Sequence, residues 1–197
     1  MKKITLPAAS RLTSPNPVTL VCTLRPDGGT NLATVSWWNY LSFNPSMIAF
    51  AMAKTSYTGE RVRETKEVVV TVPGAALASQ AVSCGSTTGR DTDKAAKFGV
   101  ELTELDGCAI RVPVHSRVAI QCELKEFIEA GDHYLYICTV KNVYGNANEE
   151  ALFAWNGYAE IAPAAKKVYT TAAFARGAPS FEAVRRFYIA ARYRCQS

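Results

Sequence analysis

MIAFAMAKTSYTGERVRETKEVVVTVP, residues 47–73, sets two apolar runs on either side of a polar, charged stretch. MIAFAMA (47–53) is continuously apolar and too short to stand alone as a helix, so it reads as a strand buried on both faces. EVVVTVP (67–73) is a β-branched strand closed by Pro73 and Gly74. Between them, KTSYT (54–58) crowds hydroxyls behind one cation and runs at once into the helix-like GERVRET. Two readings stand for that crowding. One is a solvated, hydroxyl-rich loop. The other is an oxyanion cradle, in which hydroxyl donors, the Lys54 charge and the free N–H groups of a starting helix match what a phosphate needs. The TGER at 58–61 is not a capping box, so the chemistry of the helix start is better defined than its position.

Upstream, VTLVCTL (18–24), the turn RPDGG (25–29) and TNLATVSWW (30–38) read as a β-hairpin. Downstream, AALASQAV (75–82) and DTDKAAKF (91–98) have helix-forming composition, with Asp91 as the cap of the second helix and SCGSTTGR (83–90) as the loop between them. RVAIQCEL (117–124) alternates, with Val118, Ile120, Cys122 and Leu124 on one face, and the alternation slips at Phe127 and Ile128 as a bulge requires. AGDH (130–133) turns the chain into YLYICTVKNVY (134–144), apolar on both faces of its first half. Five or six antiparallel strands with two or three short helices describe a mainly β (α+β), barrel-like domain, and no GxGxxG follows a strand to support a Rossmann domain. SFEAVRRFYIAARYRC (180–195) carries Phe181, Val184, Phe187, Tyr188 and Ala191 at helical spacing, a stripe that suits core packing or a dimer contact.

The 197 residues, 48% hydrophobic, supply one sizeable core and a single-domain expectation over 1–197. Of the net charge of +5, the stretch from Arg176 onward accounts for +4 through five arginines against Glu182. The remainder is nearly neutral, and no helix-turn-helix, RNP-like or zinc-finger pattern accompanies the basic end, which argues against nucleic acid as the partner. The six cysteines form no CxxC pair and only His115 and His133 are available beside them, so no metal-ligand spacing is present. Thiols inside strand-like runs fit a reducing compartment, the opening MKKITLPAASRLTSPNP lacks the apolar run of a secretory signal, and no window reaches membrane-spanning length; a cytoplasmic location is expected.

Taken together, PNPVTLVCTLRPDGGTNLATVSWWNYLSFNPSMIAFAM, KTSYTGERVRETKEVVVTVP, CGSTTGRDTDKAAKFGV and GDHYLYICTV resemble, in order and spacing, the flavin reductase-like family, the FMN-binding split β-barrels that include flavoredoxins. The resemblance covers about residues 13–145 and leaves the basic extension, about 176–197, without a counterpart. It implies an antiparallel split barrel with short flanking helices, and FMN as cofactor. Asn31, Ala33, Thr34, Val35 and Ser36 would hold the flavin ring, largely through backbone groups. Lys54, Thr55, Ser56 and Thr58 would cradle the phosphate, Tyr57 would pack on the ribityl chain or ring, and Gly85, Ser86 and Lys94 would lie close to the cofactor. His133 would orient an incoming nicotinamide, while His115 has no such context and is expected to be structural. The activity implied is hydride transfer from NADH or NADPH to flavin N5 by a homodimer that passes reduced flavin to a partner oxygenase or another acceptor. A flavoredoxin-type electron carrier with fixed FMN, or a non-catalytic binding module, are the alternatives. Two departures stand out: Ser46 replaces a second proline, and Cys138–Thr139 replaces a glycine and an acidic residue, which would narrow the nicotinamide side.

Overall fold

In the computed structural model, which describes residues 1, 3–157 and 159–164, a short helix α1 (Leu6–Leu12) leads into the two-residue strand β1 (Asn16–Pro17). The expected hairpin follows as β2 (Thr19–Leu24) and β3 (Thr30–Val35), joined by a turn in which Gly28 takes φ +81°, a conformation open to glycine at little cost. Next come β4 (Trp38–Phe43), β5 (Ser46–Ala53), helix α2 (Tyr57–Thr65) and β6 (Glu67–Pro73). A 3-10 turn at Ala75–Leu77 opens into α3 (Ala78–Gly85), and α4 (Lys94–Phe98) completes the helices. The strands β7 (Leu102–Leu105), β8 (Cys108–Pro113), β9 (Ser116–Ala130), β10 (His133–Gly145), β11 (Leu152–Trp155) and β12 (Glu160–Pro163) follow.

The principal sheet has seven antiparallel strands in the order β3-β2-β6-β9-β10-β5-β4. Its two edge strands, β3 and β4, are consecutive in the chain and separated only by Ser36 and Trp37. Six strand spacings would hold the edges of a flat sheet about 29 Å apart. Three residue steps from Val35 to Trp38 reach only about 10 Å. The sheet must therefore curl until its edges approach, and Ala51 N donating to Trp37 O at 2.8 Å ties the link to β5. β3 and β4 do not pair, so the barrel stays open along that seam.

Two bulges help the bend. Lys125 on β9 and Lys141 on β10 each stand as the extra residue where the β9–β10 register shifts. The slip expected at Phe127 and Ile128 thus begins two residues earlier. Alternation along the strands fills two cores. Val21, Phe50, Val68, Val70, Ile120, Tyr136 and Cys138 face the barrel interior. Leu20, Cys22, Leu32, Val69 and Ala119 face outward and are covered by α3, the β7–β8 ribbon and Val100. β2 and β6 are consequently buried on both faces, as their near-continuous apolar runs require. The small sheet β1-β11-β12 buries Val18, Leu152 and Ala154 beside them.

The mainly β, antiparallel architecture expected from the sequence is the one adopted. Asp93, rather than Asp91, caps α4 by accepting from Ala96 N at 3.0 Å, because the helix begins two residues later than an Asp91 cap would place it. Ser56 caps α2, its hydroxyl accepting from Gly59 N at 3.2 Å. Cys138 is fully buried in the barrel interior. It cannot narrow a ligand site. The five cysteines of the described residues are free thiols, and burial pushes Cys84 up to about 11 and Cys138 up to about 12. Among the described residues no helix is long and apolar enough to cross a membrane. The arginine-rich end and its apolar stripe lie outside them.

Ile120, 2% exposed and central in the barrel interior, tests the core: Ile120→Ala should lower unfolding stability by about 2–5 kcal/mol. A shifted denaturant midpoint with an unchanged slope in urea titration would show it, and a loss under 1 kcal/mol would contradict this packing.

Candidate functional site

A cavity of about 500 Å³ opens along the seam, within the ~300–1,000 Å³ range of small-molecule sites. One wall is β3 (Ala33, Thr34, Val35) and the Trp37 link; another is the end of β5 (Ala51–Ala53) with the start of α2 (Thr55–Thr58). The third is the end of α3 and the following loop (Cys84–Gly89), with Lys94 and His133 completing it. Among the described residues β3 pairs on one side only, with β2, so its other edge leaves backbone groups available to a ligand.

Of the residues singled out from the sequence, Ala33, Thr34, Val35, Thr55, Ser56, Tyr57, Thr58, Gly85, Ser86, Lys94 and His133 come together on this wall. Three do not. Lys54 turns its ammonium to Glu129 on β9 and lies 5.7 Å from the Tyr134 ring centre, because the residue after β5 directs its side chain across the β9–β10 turn. Asn31 is fully buried behind the wall, its amide nitrogen donating to Thr58 Oγ1 at 2.8 Å and Thr23 Oγ1 at 3.1 Å. Ser36 lies beyond β3, and its hydroxyl donates to Pro17 O at 2.7 Å. Asn31 therefore positions Thr58, and Ser36 anchors the link.

Sequence reasoning missed Trp37, Thr87, Thr88 and Gly89 as wall residues. A signal for the last three was present: SCGSTTGR repeats the hydroxyl crowding of KTSYT. Gly89 has a steric reason, since a Cβ there would fall 1.8 Å from Asn31 Oδ1, a buried acceptor without a partner among the described residues. Gly85 packs on Thr34, where an added Cβ would sit 3.2 Å from Thr34 Cβ. Trp37 carries no local signal, because only the closing of the seam brings it to the cavity.

Electrostatically the wall is one-sided. Among the described residues it contains eight hydroxyl-bearing residues and the buried Lys94, and no carboxylate. The acids nearby are paired outside it. Glu60 accepts from Arg90, whose guanidinium covers the Tyr57 ring at 5.2 Å, and this contact holds the Glu60 carboxyl below its ordinary range. Asp132 accepts from His133 Nδ1 at 2.7 Å, and the contact likewise lowers the Asp132 carboxyl. The His133 ring is in turn tilted against Trp37, centroids 5.0 Å apart. Such a site suits a ligand rich in acceptors and negative charge, with a flat body to lie between β3 and the Trp37–His133 pair. FMN fits that donor set.

A family model described as "Flavin reductase like domain" matches residues 11–162. A flavin reductase of Pseudomonas putida is 28% identical over 145 residues, 73% of this chain and 81% of its own length. An uncharacterised protein of Aeropyrum pernix is 27% identical over 145 residues, and the match covers 73% of this chain and only 55% of that protein. Among solved structures, the flavoredoxin of Desulfovibrio vulgaris (Miyazaki F) superposes with a TM-score of 0.74 at 21% identity, covering 90% of this chain and all of that one, which shows a shared fold.

Two outcomes are expected of the site's own bonds. Gly89→Ala should force Asn31 aside, break its bond to Thr58 and destabilise the protein by about 1–3 kcal/mol, read as a lower thermal midpoint. Asp132 should titrate below 3.8 in carboxyl NMR, and His133→Gln should raise it back towards that value. The sign follows from a depressed folded pKa: the contact stabilises above the unfolded Asp value and is lost as pH falls through the folded one.

Proposed function

The chain belongs to the flavin reductase-like family, and from that premise we propose that it binds FMN in the seam cavity and uses NADH or NADPH to reduce it. The observation that carries the reading is the wall composition among the described residues: a buried ammonium and two hydroxyl clusters without one carboxylate, beside a strand edge unpaired among those residues. Flavin, when bound, supplies the electron-accepting N5 to which a nicotinamide gives hydride. The chain's own task is orientation and exclusion of water.

In this proposal the free edge of β3 at Ala33–Val35 holds the ring, and Gly85 and Lys94 border it. Thr55, Ser56 and Thr58, with Ser86 from the facing loop, bind the phosphate, and Tyr57 packs on the ribityl chain. The Ser56 hydroxyl accepts from Gly59 N and turns its proton to Met52 Sδ at 3.9 Å, a weak acceptor that a phosphate oxygen would displace. Thr58 Oγ1 accepts from Asn31, which likewise leaves its proton for the ligand. His133, held by Asp132 and Trp37, forms the flat surface against which a nicotinamide stacks; no protein base is needed for the hydride itself. Lys54 is left out of the cradle, since its charge is turned to Glu129. A homodimer belongs to the same reading: Tyr40, Leu41 and Phe43 are exposed on the edge strand β4, and a second copy would cover them. Reduced flavin would then serve a partner oxygenase or another acceptor.

The decisive experiment is the visible spectrum of the purified protein with FMN, followed by anaerobic NADH and NADPH. Bleaching within seconds is expected and names the donor; bound flavin that stays oxidised would favour an electron carrier, and absence of flavin binding would overturn the reading. Thr58→Ala should weaken FMN by about 10-fold or more, through loss of a hydrogen bond to a charged group. Lys54→Ala should change affinity less than 3-fold, about 0.6 kcal/mol. Fluorescence titration of FMN checks both.

A further inference from the structure

Lys94, the first residue of α4, is 3% exposed, a burial that lysines almost never reach without a paired acid. Its ammonium donates to Leu32 O at 2.7 Å and to Cys84 O at 2.8 Å. No carboxylate pairs with it among the described residues, and the adjacent Asp93 is engaged in capping Ala96 N. An ammonium has three donors. Two go to backbone carbonyls, and the side chain forms part of the cavity wall, where the third can meet a ligand. Burial pulls this ammonium's pKa down, so a negative group entering the cavity and the lysine's charge stabilise one another.

Which part of the ligand it meets follows from its anchors, and here the inference rests on the FMN reading above. Leu32 O immediately precedes Ala33–Val35, the strand edge assigned to the ring. Cys84 O precedes Gly85, which packs on Thr34 of that same strand. The hydroxyls of Thr55 and Thr58 come from a different wall, at the start of α2. Hydride transfer brings two electrons and one proton to the ring while the nicotinamide leaves oxidised, so the ring gains one negative charge unless a further proton follows. We propose that Lys94 is the cation that stabilises the reduced, anionic flavin ring, making the site bind reduced FMN more tightly than oxidised FMN.

The test compares wild type, Lys94→Gln and Lys94→Arg, each loaded with FMN, by midpoint potential and by affinity for oxidised FMN and riboflavin. Glutamine keeps amide donors for the two carbonyls and removes the charge. The expected result is a midpoint lower by about 30 mV or more in Lys94→Gln, a tenfold or greater loss of preference for the reduced form of a two-electron couple. Lys94→Arg should retain the wild-type value. An unchanged midpoint in Lys94→Gln with flavin bound would overturn the proposal. So would a variant that loses only its preference for FMN over riboflavin, since that would move Lys94 to the phosphate. The wild type alone gives a second readout should the variants not fold: its reduced flavin must absorb as the anion at pH 7, and a neutral reduced flavin overturns the proposal. A wild type that binds no flavin overturns the FMN reading itself, a result distinct from a flavoprotein whose potential ignores Lys94.

Discussion

Ser36 and Trp37 are the constraint on which the rest of the structure depends. They join the opposite edges of a seven-stranded sheet by a link too short to cross a flat one. Curling is then obligatory, and the bulges at Lys125 and Lys141 supply local bending in the two longest strands. The interior so enclosed is apolar and filled by Val21, Phe50, Ile120 and Tyr136, with Phe50 and Tyr136 stacked at 5.2 Å. Because β3 and β4 meet only through the link, the seam keeps an edge that no other described strand pairs. That edge is a liability in most sheets. Here it faces the cavity, flanked by α2 and by the loop after α3.

The cavity's polar character comes from two loops that are distant in sequence. Thr55–Thr58 follows β5, and Ser86–Gly89 follows α3. Asn31 bridges their supports, bonding Thr58 while lying directly under Gly89. A single buried amide thus sets the separation of the two hydroxyl clusters. Arg90 reinforces it from outside by covering Tyr57 and pairing with Glu60 on α2. The acids that could oppose an anionic ligand are engaged elsewhere, Glu60 with Arg90, Glu129 with Lys54 and Asp132 with His133. Lys94 remains, among the described residues, the one buried cation of the wall.

Much of this was legible in local sequence. The β2–β3 hairpin, the apolar strand at 47–53, the β-branched strand at 67–73, the turn at 130–133 and the hydroxyl-rich start of α2 all follow from side-chain period, turn chemistry and capping, which act over a few residues. The family resemblance added the grouping of the β3, α2 and α3–α4 segments at one site, which no single segment reports. Shorter-range rules failed at α4, where composition pointed to Asp91 as the cap and the helix instead starts at the buried Lys94 with Asp93 as its cap.

By itself the sequence determined the strands β2, β3, β5, β6, β9 and β10 and where hydroxyls and cations are concentrated, while the edge strand β4, the β7–β8 ribbon and the small β1-β11-β12 sheet carried no period strong enough to mark them. Tertiary structure alone decided which of those polar groups reach the cavity. Lys54 and Lys94 are both lysines beside hydroxyl-rich stretches, yet one pairs with Glu129 on the outside and the other is enclosed at the cavity wall. Asn31 and Ser36 flank residues of that wall in the chain but spend their side chains on Thr58, Thr23 and Pro17. The physical reason is that a side chain's direction depends on strand register and on how the sheet closes, and closure is set by pairings between residues as far apart as Val69 and Gln121.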